Sequence, residues 1–114
     1  MKTVRDVLPA DQAAQMLAYK AELERELPGR IARIMLFGSR ARGNAQPDSD
    51  FDVAVFVRDL GDRRAVRATL SDAAYDWVLR GVHIRPVALP ASEMDAEPRS
   101  ELAENIVHDG VLVQ

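Results

Sequence analysis

Apolar positions recur along this chain with two periods, one helical and one extended, and the two alternate. From about Pro9 to Leu27, Met16, Leu23 and Leu27 return at helical spacing with Ala13 and Tyr19 beside them, while Glu22, Glu24, Arg25 and Glu26 stay on the wet side. That pattern predicts a helix, stopped by Pro28-Gly29. The run Ile31–Phe37 is apolar, branched and too short for a helix, so it predicts a buried strand. Gly38 to Ser49 reads as a polar connection, with Gly43-Asn44 and Gln46-Pro47-Asp48-Ser49 as loop chemistry. Phe51–Val57 carries apolar residues on both faces beyond Asp52, which predicts a strand in the middle of a sheet. Gly61-Asp62 opens a second helix, whose Val66, Leu70, Ala73 and Trp77 form one inward stripe and which Gly81 ends. Trp77 is read as core. Val82–Leu89 predicts a third strand, and Pro86, lacking an N–H, restricts it to an edge or a bulge. A last helix starts near Ser100 with Leu102, Ala103, Ile106 and Val107 inward, and Gly110 stops it. His108 falls in its last turn, a structural position where a cation favours the helix dipole.

Helices alternating with strands predict an α/β (α+β) fold, with helices packed on a small mixed sheet of three or more strands. A length of 114 residues suits a single domain over residues 1–114, with its core in 31–89 and flanking helices at about 9–27 and 100–109. With 47% hydrophobic and 29% charged residues, disorder and low-complexity character are excluded. The absence of Cys removes disulfides, thiolate zinc sites and a Cys nucleophile, and two His residues leave little for a zinc site. A net charge of −3 argues against general DNA binding. No stretch reads as a signal peptide or approaches the roughly 20 apolar residues of a membrane span, so a soluble cytoplasmic protein without membrane contact is expected. The chemistry left open is that of carboxylates, hard metals and phosphates.

Leu36-Phe37-Gly38-Ser39-Arg40-Ala41-Arg42-Gly43 and Ser49-Asp50-Phe51-Asp52 carry that chemistry. Gly38 lets the backbone turn at a strand end, Ser39 can cap a short helix starting at Arg40, and the amides of such a helix start favour an anion. Arg40 and Arg42 place two guanidinium forks beside the same spot, suited to phosphate oxygens. Asp50 and Asp52, two apart on a strand, project from one face. Two carboxylates held together repel, and a divalent cation or a proton relieves them. Mg²⁺ (or Mn²⁺), held by one or two carboxylates with waters and substrate phosphates, fits such a pair opposite a phosphate cradle.

Gly-Ser, ten residues and Asp-x-Asp resemble the signature of the DNA polymerase β-type nucleotidyltransferase superfamily, here Gly38-Ser39 and Asp50-x-Asp52. The size of the chain and its Phe37–Gly43 wording resemble the minimal nucleotidyltransferases, many of which pair as antitoxins with HEPN-domain toxins. The resemblance implies the polymerase β-type fold over roughly residues 31–89. It also implies that Gly38 and Ser39 hold the β- and γ-phosphates, and that Asp50 and Asp52 are the catalytic metal ligands. The reaction implied is transfer of a nucleoside monophosphate, AMP from ATP, to a hydroxyl of a partner protein or RNA, with release of pyrophosphate. Catalytic relatives carry a third carboxylate on the next strand, whereas Val82-His83-Ile84-Arg85-Pro86-Val87 has none. By register the position to inspect is His83 or Arg85, and Glu93 and Asp95 lie just beyond the strand.

Three functions follow as expectations: an active nucleotidyltransferase, a non-catalytic antitoxin or adaptor that masks a HEPN-type partner, and a nucleotide sensor. So small a chain has little room for an acceptor-binding module, so the acceptor is expected to come with a partner or with a second copy in a homo-oligomer. The exposed faces of the first and last helices are the candidate contacts.

Overall fold

A computed structural model describes residues 1–114. The chain runs α1 (Val4–Val7), α2 (Ala10–Glu26), β1 (Ile31–Phe37), α3 (Ser39–Arg42), β2 (Phe51–Val57), α4 (Arg63–Val78), β3 (Ile84–Pro90), a 3₁₀ turn (Ala91–Met94), α5 (Glu101–Asp109) and β4 (Val111–Leu112). The mixed sheet has the order β3-β2-β1-β4. β1 pairs antiparallel with β2 and with β4, while β2 and β3 run parallel and are joined through α4. A parallel pair needs such a crossover, because a tight turn cannot return the chain to the same end of the sheet.

Side-chain alternation divides the apolar residues between the two sheet faces. Ile34, Leu36, Val53 and Val55 face α2 and α4 and build the larger core with Met16, Tyr19, Leu23, Leu70 and Trp77. Met35, Ala54 and Phe56 face the other way and are covered by Ala103 and Ile106 of α5 and by Leu89. β2, covered on both faces and flanked by β1 and β3, takes the central place its apolar run predicts. β3 is the edge strand that Pro86 requires. No helix is long and apolar enough to cross a membrane.

Several details differ from the sequence-based expectations, each for a local reason. The structure adds α1 and β4, whose four and two residues are too short to show a period. They act through tertiary contacts: Val4 and Val111 are buried, and the Leu112 amide donates to the Lys2 carbonyl at 2.9 Å. In α4 Ala74 is buried where Ala73 was expected, and Ala73 packs at the margin of the core. Leu102 points outward and is 44% exposed, since α5 needs only Ala103 and Ile106 to cover the small second face. β3 begins at Ile84, two residues later than expected. Ser39 does not cap α3; it is the first residue of that helix, and Gly38 is the cap.

Candidate active site

β1 ends at Phe37, which lies opposite Asp52 in the antiparallel register, so the Gly38 turn is brought against the Asp52 side chain. Gly38 has φ +76°, a left-handed conformation that side chains resist, and α3 starts immediately after it. A Cβ on Gly38 would lie 2.5 Å from Asp52 Oδ2, so this position is bare for two reasons, conformation and contact. Ala41 is buried and anchors α3 to the core, and Gly43 closes the helix in the left-handed region. The amides of Ser39 and Arg40, in the first turn, have no acceptor within their own helix.

The two arginines of this turn serve as braces. Arg40 donates from Nε and Nη2 to the Ser49 carbonyl at 3.2 and 2.8 Å, and from Nη2 to the Pro47 carbonyl at 3.2 Å. Its guanidinium also lies over the Phe51 ring, 4.3 Å from the centroid. Arg40 therefore pins the loop that delivers Asp50. Arg42 donates from Nη1 to Asp109 Oδ2 at 3.2 Å and ties α3 to the end of α5. Asp109 also accepts from His108, and this hydrogen bond, followed by the Arg42 contacts, holds its carboxyl below the ordinary value of 3.8.

Asp50, just ahead of β2, and Asp52, within it, converge on one cation, Arg85. The parallel register places Arg85 directly beside Asp52. Arg85 Nε donates to Asp52 Oδ1 at 2.8 Å, and Arg85 Nη1 stands 3.8 Å from Asp50 Oδ2. The Asp52 side chain is 16% exposed, that of Asp50 42% and that of Arg85 68%, so the carboxylates sit at the wall and the guanidinium in front of them. The hydrogen bond that Arg85 donates to Asp52, and then the charge of Asp52, push the guanidinium further above its ordinary pKa.

Of the residues singled out in the sequence, Gly38, Asp50 and Asp52 are brought to one corner, with Ser39 one residue beyond the Gly38 contact. His83 is exposed and precedes β3; its carbonyl accepts the Phe51 amide at 2.8 Å. Glu93 lies on the 3₁₀ turn, where it lines a cavity of about 520 Å³ at the outer edge of β3 with Arg63, Arg67 and Pro86. Asp95 is exposed at the end of that turn. Neither acid joins Asp50 and Asp52, and nowhere do three His, Cys, Asp or Glu side chains gather as a metal cluster. Sequence reasoning missed the Arg85 ion pair and the Asp109 tether. The only available signal for the former was the strand register that marked position 85 for inspection.

A divalent ion suits the corner on two observations. The Asp50 and Asp52 oxygens already gather a cation, and the lack of a Cβ at Gly38 lets the backbone ahead of α3 come close to Asp52 Oδ2, space that any side chain would fill. Two carboxylates, completed by waters and substrate phosphates, are a sufficient protein contribution for Mg²⁺.

A protein-family profile described as "Nucleotidyltransferase domain" matches residues 18–112. Among solved structures, a crystal structure of a mutant of the toxin-antitoxin MntA-HpeT is similar over 86% of this chain and 72% of that one, at 20% identity and a TM-score of 0.57. A crystal structure of a toxin-antitoxin with AMP-PNP covers the same shares, at 21% identity and a TM-score of 0.58. At these identities the likeness is one of fold. No curated protein matches the chain.

Proposed function

The chain belongs to the nucleotidyltransferase-domain family, and from that premise we propose that it transfers AMP from ATP to a hydroxyl of a partner protein or RNA, acting as an antitoxin. The observation that carries this reading is the convergence of Asp50 and Asp52 on one cation beside the bare Gly38 turn. The Ser39 and Arg40 amides, with the Ser39 hydroxyl, supply donors for the β- and γ-phosphates at the start of α3. Arg40 contributes by fixing the Pro47–Ser49 loop, and so the place of Asp50, more than by touching phosphate. Asp50 and Asp52 are the residues that would hold Mg²⁺ or Mn²⁺. When bound there, the ion supplies neutralisation of the charge on the attacking and leaving oxygens. The hydroxyl oxygen attacks the α-phosphorus in line and gives up its proton to solvent, the bond from the α-phosphorus to the bridging oxygen breaks, and pyrophosphate leaves.

The acceptor is brought by the partner. The fold likeness to toxin-antitoxin structures supports a toxin in that role, of the HEPN class that the sequence resemblance implies. A second reading, an adaptor that masks its partner without transfer, is favoured by Arg85, which stands where catalytic relatives are expected to carry a third carboxylate.

One experiment separates the two readings. The protein is incubated with α-labelled ATP, Mg²⁺ and the product of the neighbouring gene. Transfer labels that product, and the label disappears with Asp50→Asn and Asp52→Asn together. Neutralisation of the partner that proceeds unlabelled and survives both substitutions establishes masking instead.

A further inference from the structure

Arg85 is a positive side chain placed where a metal-binding carboxylate pair would be expected to meet its ion. It sits on the edge strand, beside Asp52 in register, and its guanidinium reaches both acids. Its hydrogen-bonding partner is the Asp52 carboxylate, and with 68% of the side chain exposed it has open solvent to move into. Solvent around the exposed guanidinium weakens its hold on the sheltered carboxylate, so the contact is displaceable. A divalent ion on the same oxygens would lie close to the guanidinium and be repelled by it, so the two cations exclude each other.

A triphosphate changes that balance. It brings a metal ion within a group of net negative charge, and its oxygens suit the planar fork of a guanidinium. We propose that Arg85 is a built-in counter-cation that keeps free divalent ions off Asp50 and Asp52, and that a nucleotide's phosphates draw it aside so that metal and nucleotide bind together. The inference rests on the reading of Asp50 and Asp52 as the metal-holding pair. It makes Arg85 a positioning residue that couples two binding events.

The test is Mn²⁺ binding by the full chain without nucleotide, read from the loss of the free-ion signal in electron paramagnetic resonance, with circular dichroism to confirm folding. Arg85→Gln is expected to bind Mn²⁺ about tenfold more tightly than the unaltered chain, since a like charge next to the ion is removed. Arg85→Lys, which keeps the charge, should stay near the unaltered value, and adding Asp52→Asn to Arg85→Gln should remove the gain. Equal affinities in the unaltered chain and Arg85→Gln, both lost with Asp52→Asn, overturn the coupling and leave the metal reading standing. No Mn²⁺ on Arg85→Gln overturns both.

Discussion

Gly38 is held to glycine by a neighbour as much as by its own backbone. Its φ of +76° disfavours any side chain, and a methyl group there would press on Asp52 Oδ2. Gly38→Ala should therefore lower stability by about 1–3 kcal/mol, the usual range for a residue forced into a sparsely populated conformation. It should also displace Asp52. Urea unfolding measures the first effect and nucleotide titration the second; unchanged stability with unchanged nucleotide binding would contradict the close approach. At this scale the meeting of Gly38, Asp50 and Asp52 at one corner was legible, because they stand with Ser39 at a fixed spacing in one stretch of chain. Arg85 was legible only as a position. Its partner depends on the register of β3 against β2, which no local pattern encodes. The partners Arg40 and Arg42 hold in the structure, the Pro47 and Ser49 carbonyls and Asp109, were not legible, because charge beside a glycine turn does not show which nearby carbonyl or carboxylate will take it.

α3, the element proposed to face phosphate, is a single turn and cannot hold itself in place, since a helix this short has almost no stability of its own. Three attachments fix it: buried Ala41, the Arg40 bonds to the following loop and the Arg42–Asp109 pair to α5. The last of these depends on pH. The Asp109 carboxyl titrates below its ordinary value of 3.8 in the folded chain. A lowered folded value means that its stabilising contribution is complete above the ordinary value and is lost as pH falls through the folded one. An NMR titration of Asp109 should show a midpoint below 3.8 that moves up in His108→Ala and less so in Arg42→Ala. A midpoint unaffected by either change would contradict the assigned contacts. Elements long enough to show a period, α2, β1, β2, α4 and α5, were foreseen to within one or two residues. α1 and β4 were not, because they exist through contacts between distant segments, such as the bridge from Thr3 to Leu112.

Across the whole molecule, helices cover both faces of the sheet, while the corner where β1 ends and β2 begins stays open. Burial of β2 on both faces gives Asp52 a rigid base, and the edge position of β3 gives Arg85 room to move. The cavity of about 520 Å³ at the outer edge of β3 includes none of Gly38, Asp50, Asp52 and Arg85 in its lining, so it lies apart from this candidate site. The chain's −3 charge describes the whole and hides an arrangement in which two acids and an arginine face one another. Calorimetric titration of ATP into the full chain, with and without Mg²⁺, tests the assignment of this corner most directly. The expected result is binding that requires Mg²⁺ and weakens at least roughly tenfold in Asp52→Asn, the scale on which metal-site substitutions act. ATP binding of equal strength without Mg²⁺ or in Asp52→Asn, or no binding at all, would contradict it.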